Sequence, residues 1–272
     1  MRLLYPQDPT DRKAPDEAYR DEYEAVTARG LACWLLSLED LPAGTFRPRP
    51  ALCEGEATLY RGWMLTPVEY QELARRISAH GATPLTSPEA YERCHYLPRW
   101  YAQCRDLTPE TIFLPKDADF RHELRAVDWP GYFVKDYVKS LTTSRGSIAR
   151  TPAEVAEIVG LIEHYRGRIE GGVCVRRLED LMPETEERYF VVGGEPHARD
   201  GAVPDLVRDI ARRIESPFFT VDVCAARDGR LRLVELGDGQ VSDRKRWDVT
   251  RFAELLAAAG VASGAVSSQV IP

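Results

Sequence analysis

The hydrophobic pattern along this chain changes period repeatedly. Residues 1–5 and 31–37 (LACWLLS) are short apolar runs that read as strands, and 57–61 is strand-like. Between them, the polar stretch 15–29 reads as a helix ended by Gly30, and 42–56, rich in Pro and Gly, reads as a loop. Thr66, with Glu69 three residues on, has capping-box spacing and opens a helix to about residue 80, with Tyr70, Leu73 and Ile77 on one face. Gly81 ends it, 82–85 suits another strand, and Ser87-Pro88 starts a further helix. This β/α alternation predicts a small open α/β domain over residues 1–106. Neither G-x-G-x-x-G nor G-x-x-x-x-G-K-[ST] occurs, so there is no dinucleotide fingerprint and no P-loop.

The rest of the chain reads differently. Residues 107–130 join the two parts through a short TIFLP strand and a polar segment. Residues 131–139 (GYFVKDYVK) form a strand that turns polar, and 140–150 (SLTTSRGSIAR) form a small-residue loop. Thr151-Pro152 starts a helix with Glu154 at the capping-box position and Val155, Ile158, Val159 and Ile162 inward. The strand VCVRRL follows Gly171-Gly172, and 187–192 and 195–199 make a hairpin about Gly193-Gly194. A helix over 204–214, a second hairpin and a helix over 247–259 follow, and the tail after Gly260 reads as frayed.

The second hairpin carries the chemistry. FFTVDVCA and RLRLVEL flank Asp228-Gly229, the signal for a two-residue turn. From that turn Arg227 faces Arg230, Cys224 faces Leu233, and Asp222 faces Glu235. Two carboxylates directly opposite lie about 5 Å apart at Cβ and repel. Either a cation sits between them, one is protonated, or both are solvated on an exposed strand pair. A hard divalent ion takes oxygen ligands and keeps phosphates in its shell. The Gly-rich exit, Gly237-Asp238-Gly239-Gln240, lets backbone approach a ligand closely.

Other basic residues add to this. Lys135 and Lys139 lie four apart around a strand end; a lysine between apolar neighbours needs a phosphate or an acid such as Asp136. By alternation one of Arg176 and Arg177 points inward, where it needs an anion or a salt bridge to Glu179 or Asp180. Glu187-Arg188 repeats the pattern. The five histidines are scattered, and no G-x-S-x-G or local cysteine nucleophile signature occurs, so hydrolase chemistry has little support.

Composition narrows the classes. A net charge of −7 over 272 residues argues against a general nucleic-acid or membrane-surface binder. No apolar run approaches a membrane span, and the N-terminus lacks a signal-peptide pattern, which points to the cytoplasm. The six cysteines lack C-x-x-C spacing and read as reduced packing residues.

The stretches FVKDYVKS, VCVRRLEDL, ERYFVV and FTVDVCAARDGRLRLVELGDGQVS, in this order, resemble the R2K clade of the ATP-grasp superfamily. The resemblance implies a pre-ATP-grasp α/β domain over 1–106 and, over 107–272, an ATP-grasp domain with an antiparallel central sheet, making the chain mixed α/β and α+β. It implies ATP and Mg²⁺ as cofactors. Lys135 and Lys139 would contact phosphates, Lys135 adenine as well, Arg176, Arg177 and Leu178 would line the adenine edge, and Glu187 would lie near the ribose. Arg188 would act at the phosphate or acyl-phosphate, and Asp222 and Glu235 would hold the metal. Gly237 stands where many family members have an asparagine ligand, and Asp238 or Gln240 would have to substitute. The implied activity is ligation of a small-molecule or peptide carboxylate to an amine or thiol through an acyl-phosphate. A nucleotide-binding regulatory module and a phosphotransferase are the alternatives on the same fold. The oligomeric state is left open.

Overall fold

A computed structural model describes residues 1–141 and 143–266. The chain forms two compact units, each built from separated stretches: Met1–Cys94, Arg188–Thr220 and the described residues from Gly237 on make the first, His95–Glu187 and Val221–Leu236 the second.

The first unit contains a parallel sheet of β1 (Arg2–Pro6), β2 (Ala32–Leu36), β3 (Ala57–Tyr60) and β4 (Thr83–Pro84), in the order β2-β1-β3-β4. Its strands are apolar on both faces because both faces are covered. Leu3, Tyr5, Leu35 and Leu59 pack with Val26 of α1 (Arg20–Ala28) and with Phe252 and Leu256 of α8 (Val249–Val266). Leu4, Trp34, Leu36 and Tyr60 pack with Tyr70, Leu73 and Ile77 of α2 (Pro67–Ala79). The expected capping box forms: the Thr66 hydroxyl accepts from Glu69 N–H and the Glu69 carboxylate accepts from Thr66 N–H. The polar stretch before Arg20 is a 3₁₀ turn rather than helix, α3 spans Pro88–His95, and α8 continues past Gly260.

The second unit holds an antiparallel sheet, in the order β5-β8-β6-β7, of β5 (Thr111–Leu114), β6 (Tyr132–Asp136), β7 (Ile148–Ala149) and β8 (Val173–Arg177). β7 lies inside the stretch read as loop, where two residues are too few for a periodic signal. The helices are α4 (Leu97–Cys104), α5 (Phe120–Glu123) and α6 (Pro152–Arg166). One sheet face, Val134, Val173 and Val175, packs on Val155, Ile158, Val159 and Ile162 of α6. Each such side chain contributes about 1.5–3 kcal/mol by leaving water. The other face carries Lys135, Cys174 and Arg176: the ladder sets Lys135 opposite Cys174 and Phe133 opposite Arg176, and alternation puts all four on one side.

A third sheet, in the order β10-β9-β11-β12, comprises β9 (Glu187–Val192), β10 (Glu195–His197), β11 (Phe218–Ala225) and β12 (Leu231–Asp238), with α7 at Asp205–Arg213. The β9–β10 hairpin turns at Gly193 and Gly194, both at positive φ, as the sequence indicates. The β11–β12 hairpin departs from the expected two-residue turn. Ala226 N–H donates to Arg230 O at 2.8 Å and Gly229 N–H to Ala226 O at 2.9 Å, so the loop is three residues, closed by Gly229 at φ +85°. Counted from this turn, Asp222 faces Val234 and not Glu235. At the far end, however, Gly239 N–H donates to Phe218 O at 3.0 Å, a register one residue longer. Leu233 and Leu236, three apart, are both buried, which breaks the two-residue alternation between them. The extra residue is therefore a β-bulge at Val234–Glu235, and both of these residues oppose Asp222.

Candidate active site

Of the expected site residues, Lys135 and Arg176 lie on the face of the β5-β8-β6-β7 sheet turned away from α6. Lys135 is only 4% exposed, and its Nζ donates to Glu235 Oε1 at 2.5 Å. Burial without a partner would be costly for an ammonium, and the bulged hairpin supplies the partner. The nearer acid, Asp136, is used otherwise. Its Oδ1 accepts from Val138 and Lys139 N–H at 2.8 and 2.6 Å, and its Oδ2 accepts from Glu170 N–H at 3.1 Å and from the Arg166 guanidinium. Asp136 thus builds the tight turn after β6 that presents Lys139, which is exposed.

Arg176 is the inward member of its pair and Arg177 the exposed one. Among the described residues no carboxylate lies within salt-bridge distance of Arg176. Its Nη1 donates to Val234 O at 2.8 Å, on the bulge, and its Nη2 to Thr108 Oγ1 at 2.6 Å. Thr108 in turn donates to Leu233 O at 2.8 Å. The expected partners Glu179 and Asp180 are held by Arg232 and Arg227. Burial pushes the Arg176 guanidinium below its ordinary value, so its charge is held at a cost that a nearby anion would offset. Thr108 has no marker in the sequence, because its role depends on a strand 125 residues away.

His95 also belongs here. Burial, followed by the charge of Lys139, drives its imidazolium pKa down to about 3, so the ring is neutral at working pH. Nothing in the spacing of the histidines points to it. Cys174, opposite Lys135, is a packing residue: burial pushes its thiol up to about 12, too high for a nucleophile.

The remaining residues are more dispersed. The N–H groups of Arg177 and Leu178 are bonded to Glu110 O at 2.7 Å and Gly131 O at 3.0 Å. Glu187 is half-buried at the start of β9. Arg188 belongs to the first unit and gives Nη1 to Asp243, at 3.0 Å to the carbonyl and 2.9 Å to the carboxylate.

The donor set suits a hard cation only in part. Asp222 and Glu235 offer oxygen alone, as magnesium prefers, and a site of two carboxylates leaves room for water and phosphate oxygens. Among the described residues no group of three or more His, Cys, Asp or Glu side chains converges. Position 237 cannot supply a further ligand: a Cβ there would lie 2.6 Å from Ser242 Oγ and 2.7 Å from Thr220 Oγ1. Asp238 and Gln240 serve the interior of the first unit. Asp238 Oδ1 accepts from Gln240 N–H and Nε2–H, both at 3.0 Å, and Gln240 Nε2–H also donates to the Tyr70 hydroxyl at 2.9 Å. Burial raises the Asp238 carboxyl to about 7.

Residues 124–258 match the family model described as "ATP-grasp domain, R2K clade family 3". No curated protein sequence matches the chain. Among solved structures, D-cycloserine synthetase DcsG is similar at 15% identity and a TM-score of 0.63, covering 96% of this chain and 100% of its own. A Chryseobacterium gregarium RiPP-associated ATP-grasp ligase, solved with ADP and a leader and core peptide, gives 10% identity and 0.61, covering 97% of each chain. The ATP-grasp ligase PsnB, with minimal precursor, Mg and ADP, gives 14% and 0.59, covering 95% and 98%. At these identities the likeness is one of fold. No helix among the described residues is long and apolar enough to cross a membrane.

Proposed function

We propose that this chain, which belongs to the R2K clade of the ATP-grasp proteins, is an Mg-ATP-dependent ligase that joins a carboxylate to an amine or thiol through an acyl-phosphate. The observation that carries the reading is the buried Lys135 ammonium paired with Glu235 on a bulged strand opposite Asp222. An ammonium held by one carboxylate can pass to a phosphate oxygen, and the carboxylate it leaves is then available to a cation. Lys135 and Lys139 would hold the phosphates, Lys135 would reach the adenine as well, and Arg176 would lie at the adenine edge. Arg177 and Leu178 would border the adenine through carbonyl and side chain, Glu187 would lie at the ribose, and Arg188 would turn from Asp243 to the reacting phosphoryl group. Asp222 and Glu235 would hold Mg²⁺. When bound, that ion would offset the charge that develops as the γ-phosphoryl leaves. The protein's part is positioning and fixed charge, so a separate general base is not required.

Solved structures of similar fold include a ligase with bound peptides, so peptide carboxylates belong in the substrate panel beside small ones. The deciding measurement is ADP release against carboxylates with and without an amine. A ligase needs both, and a phosphotransferase needs one. A nucleotide-binding regulatory module, the alternative that crowded Gly237 favours, binds ATP and releases nothing. Asp222→Asn should lower Mg-dependent turnover at least about 100-fold, roughly 3 kcal/mol in barrier, with an unchanged circular dichroism spectrum. Full turnover in that variant and in Glu235→Gln would remove the hairpin from the site.

A further inference from the structure

We propose that the first unit carries a second binding site, an oxyanion cleft at the carboxyl ends of β1 and β2. The cleft, an open concavity of about 30 Å³, is lined by Gln7, Arg12, Ser37, Asp40, Thr45, Arg47 and Arg49. Gln7 follows β1 directly and Ser37 follows β2, so the cleft opens where two parallel strands end. In open α/β sheets this edge is where ligands are held. On the other side of β1 the same edge is filled by the chain itself. Arg61, just after β3, is ion-paired with Glu22 at 2.8 Å and donates to the carbonyls of Gly239, Gln240 and Ser242.

The lining is built to present charge. Arg49 is fixed on β2 by two backbone bonds with Leu35, at 3.0 and 2.9 Å. Along this segment Phe46 and Pro48 are buried while Arg47 and Arg49 are exposed, so both arginines project from the same anchored stretch. Prolines at 48 and 50 restrict the backbone further, which lowers the entropy lost when a ligand binds.

Compensation is incomplete. Arg12 meets Asp40 at 3.8 Å, and among the described residues neither Arg47 nor Arg49 has an acid within salt-bridge distance. The acids of the neighbouring loop are turned to their own backbone: Asp8 accepts from Thr10 and Asp11, and Asp11 from Lys13. Three arginines and one aspartate therefore line one concavity in a protein whose net charge is −7. A single exposed arginine would be weak and screened. Guanidinium forks with the Ser37 and Thr45 hydroxyls and the Gln7 amide around one concavity match a carboxylate or phosphate group. The ligand class is thus a small molecule or peptide side chain ending in an oxyanion. Every residue of the cleft lies in the first unit, and the inference does not rest on the ligase reading.

The test is calorimetric titration of the full chain at low salt with inorganic phosphate in one arm and succinate in the other. Saturable binding of either probe, weakened about 10-fold by Arg47→Ala, about 100-fold by Arg47→Ala/Arg49→Ala and tightened by Asp40→Asn, is the expected result; the responding arm tells phosphate from carboxylate. Equal binding by the double variant and the parent chain, or no saturation by either probe, overturns the proposal. Loss of the binding in Lys135→Ala also overturns it, because the probe then sits elsewhere. ATP affinity should be the same in the double variant and the parent chain, which separates this site from the nucleotide site.

Discussion

Both compact units bury a basic side chain against an acid, and the two pairs are finished to different degrees. In the first unit Arg61 and Glu22 are 1% and 3% exposed. Arg61 Nε and Nη2 meet the two carboxylate oxygens at 2.8 Å, its Nη1 meets three carbonyls, and the Tyr5 hydroxyl adds a bond to Glu22 at 2.9 Å. In the second unit Lys135 is likewise buried, but the Glu235 side chain is 35% exposed and their tie is one bond. A network whose donors are spent can only hold the fold together. A buried charge with one replaceable partner, at an opening, can be handed to something else. The contrast separates a completed structural pair from one whose partner can be exchanged more clearly than burial does.

The sharpest way to break the comparison is Arg61→Ala. It removes the bidentate partner of the buried Glu22 carboxylate, which keeps only the Tyr5 hydroxyl at 2.9 Å and Arg244 at 3.5 Å, and should cost about 3–5 kcal/mol in urea denaturation. A change below about 1 kcal/mol would mean that the pair is not structural. Glu235→Gln should do the reverse, shifting stability by less than about 1 kcal/mol because the pair is partly exposed, while ADP release falls at least about 100-fold.

The subtlest difference is the pH response. Asp238, in the first unit, has its folded pKa raised by burial from 3.8 to about 7. The folded state therefore binds the extra proton between those values, and this group's contribution to stability falls as pH rises from about 4 to 7. His95, in the second unit, has its folded pKa lowered by burial from 6.5 to about 3. There the unfolded state binds the extra proton, and the contribution is lost as pH falls below about 6.5. Melting temperatures of Asp238→Asn and His95→Gln, each subtracted from the parent curve over pH 4–7, should slope in opposite directions. Parallel differences would contradict the assignment.

Much of the fold can be read from the chain because its signals are local. The caps at Thr66 and Thr151, the inward face of α6 and the parallel strands around Leu3 and Leu35 all rest on neighbours within a few residues. The site is legible by residue type and much less so by partner. Alternation correctly turns one of Arg176 and Arg177 inward, yet the partners of the buried Arg176, Val234 O and Thr108, are 58 and 68 residues away. The metal-platform reading of the hairpin starts from a two-residue turn that does not form; a bulge farther along sets Glu235 back opposite Asp222, and one extra residue leaves no trace in composition. Arg61 carries no local signal, since its partners lie 39 and 178 residues along the chain. The chain also passes between the two compact units several times, which no linear pattern marks.

The crowding at Gly237 has an engineering consequence. The two hydroxyls that would meet any side chain there, on Thr220 and Ser242, lie 3.0 Å from each other. Grafting in the asparagine common elsewhere would not simply complete a coordination shell; it would first have to prise that pair apart. A designer building a metal site here would do better to leave this position bare and work from the opposite strand.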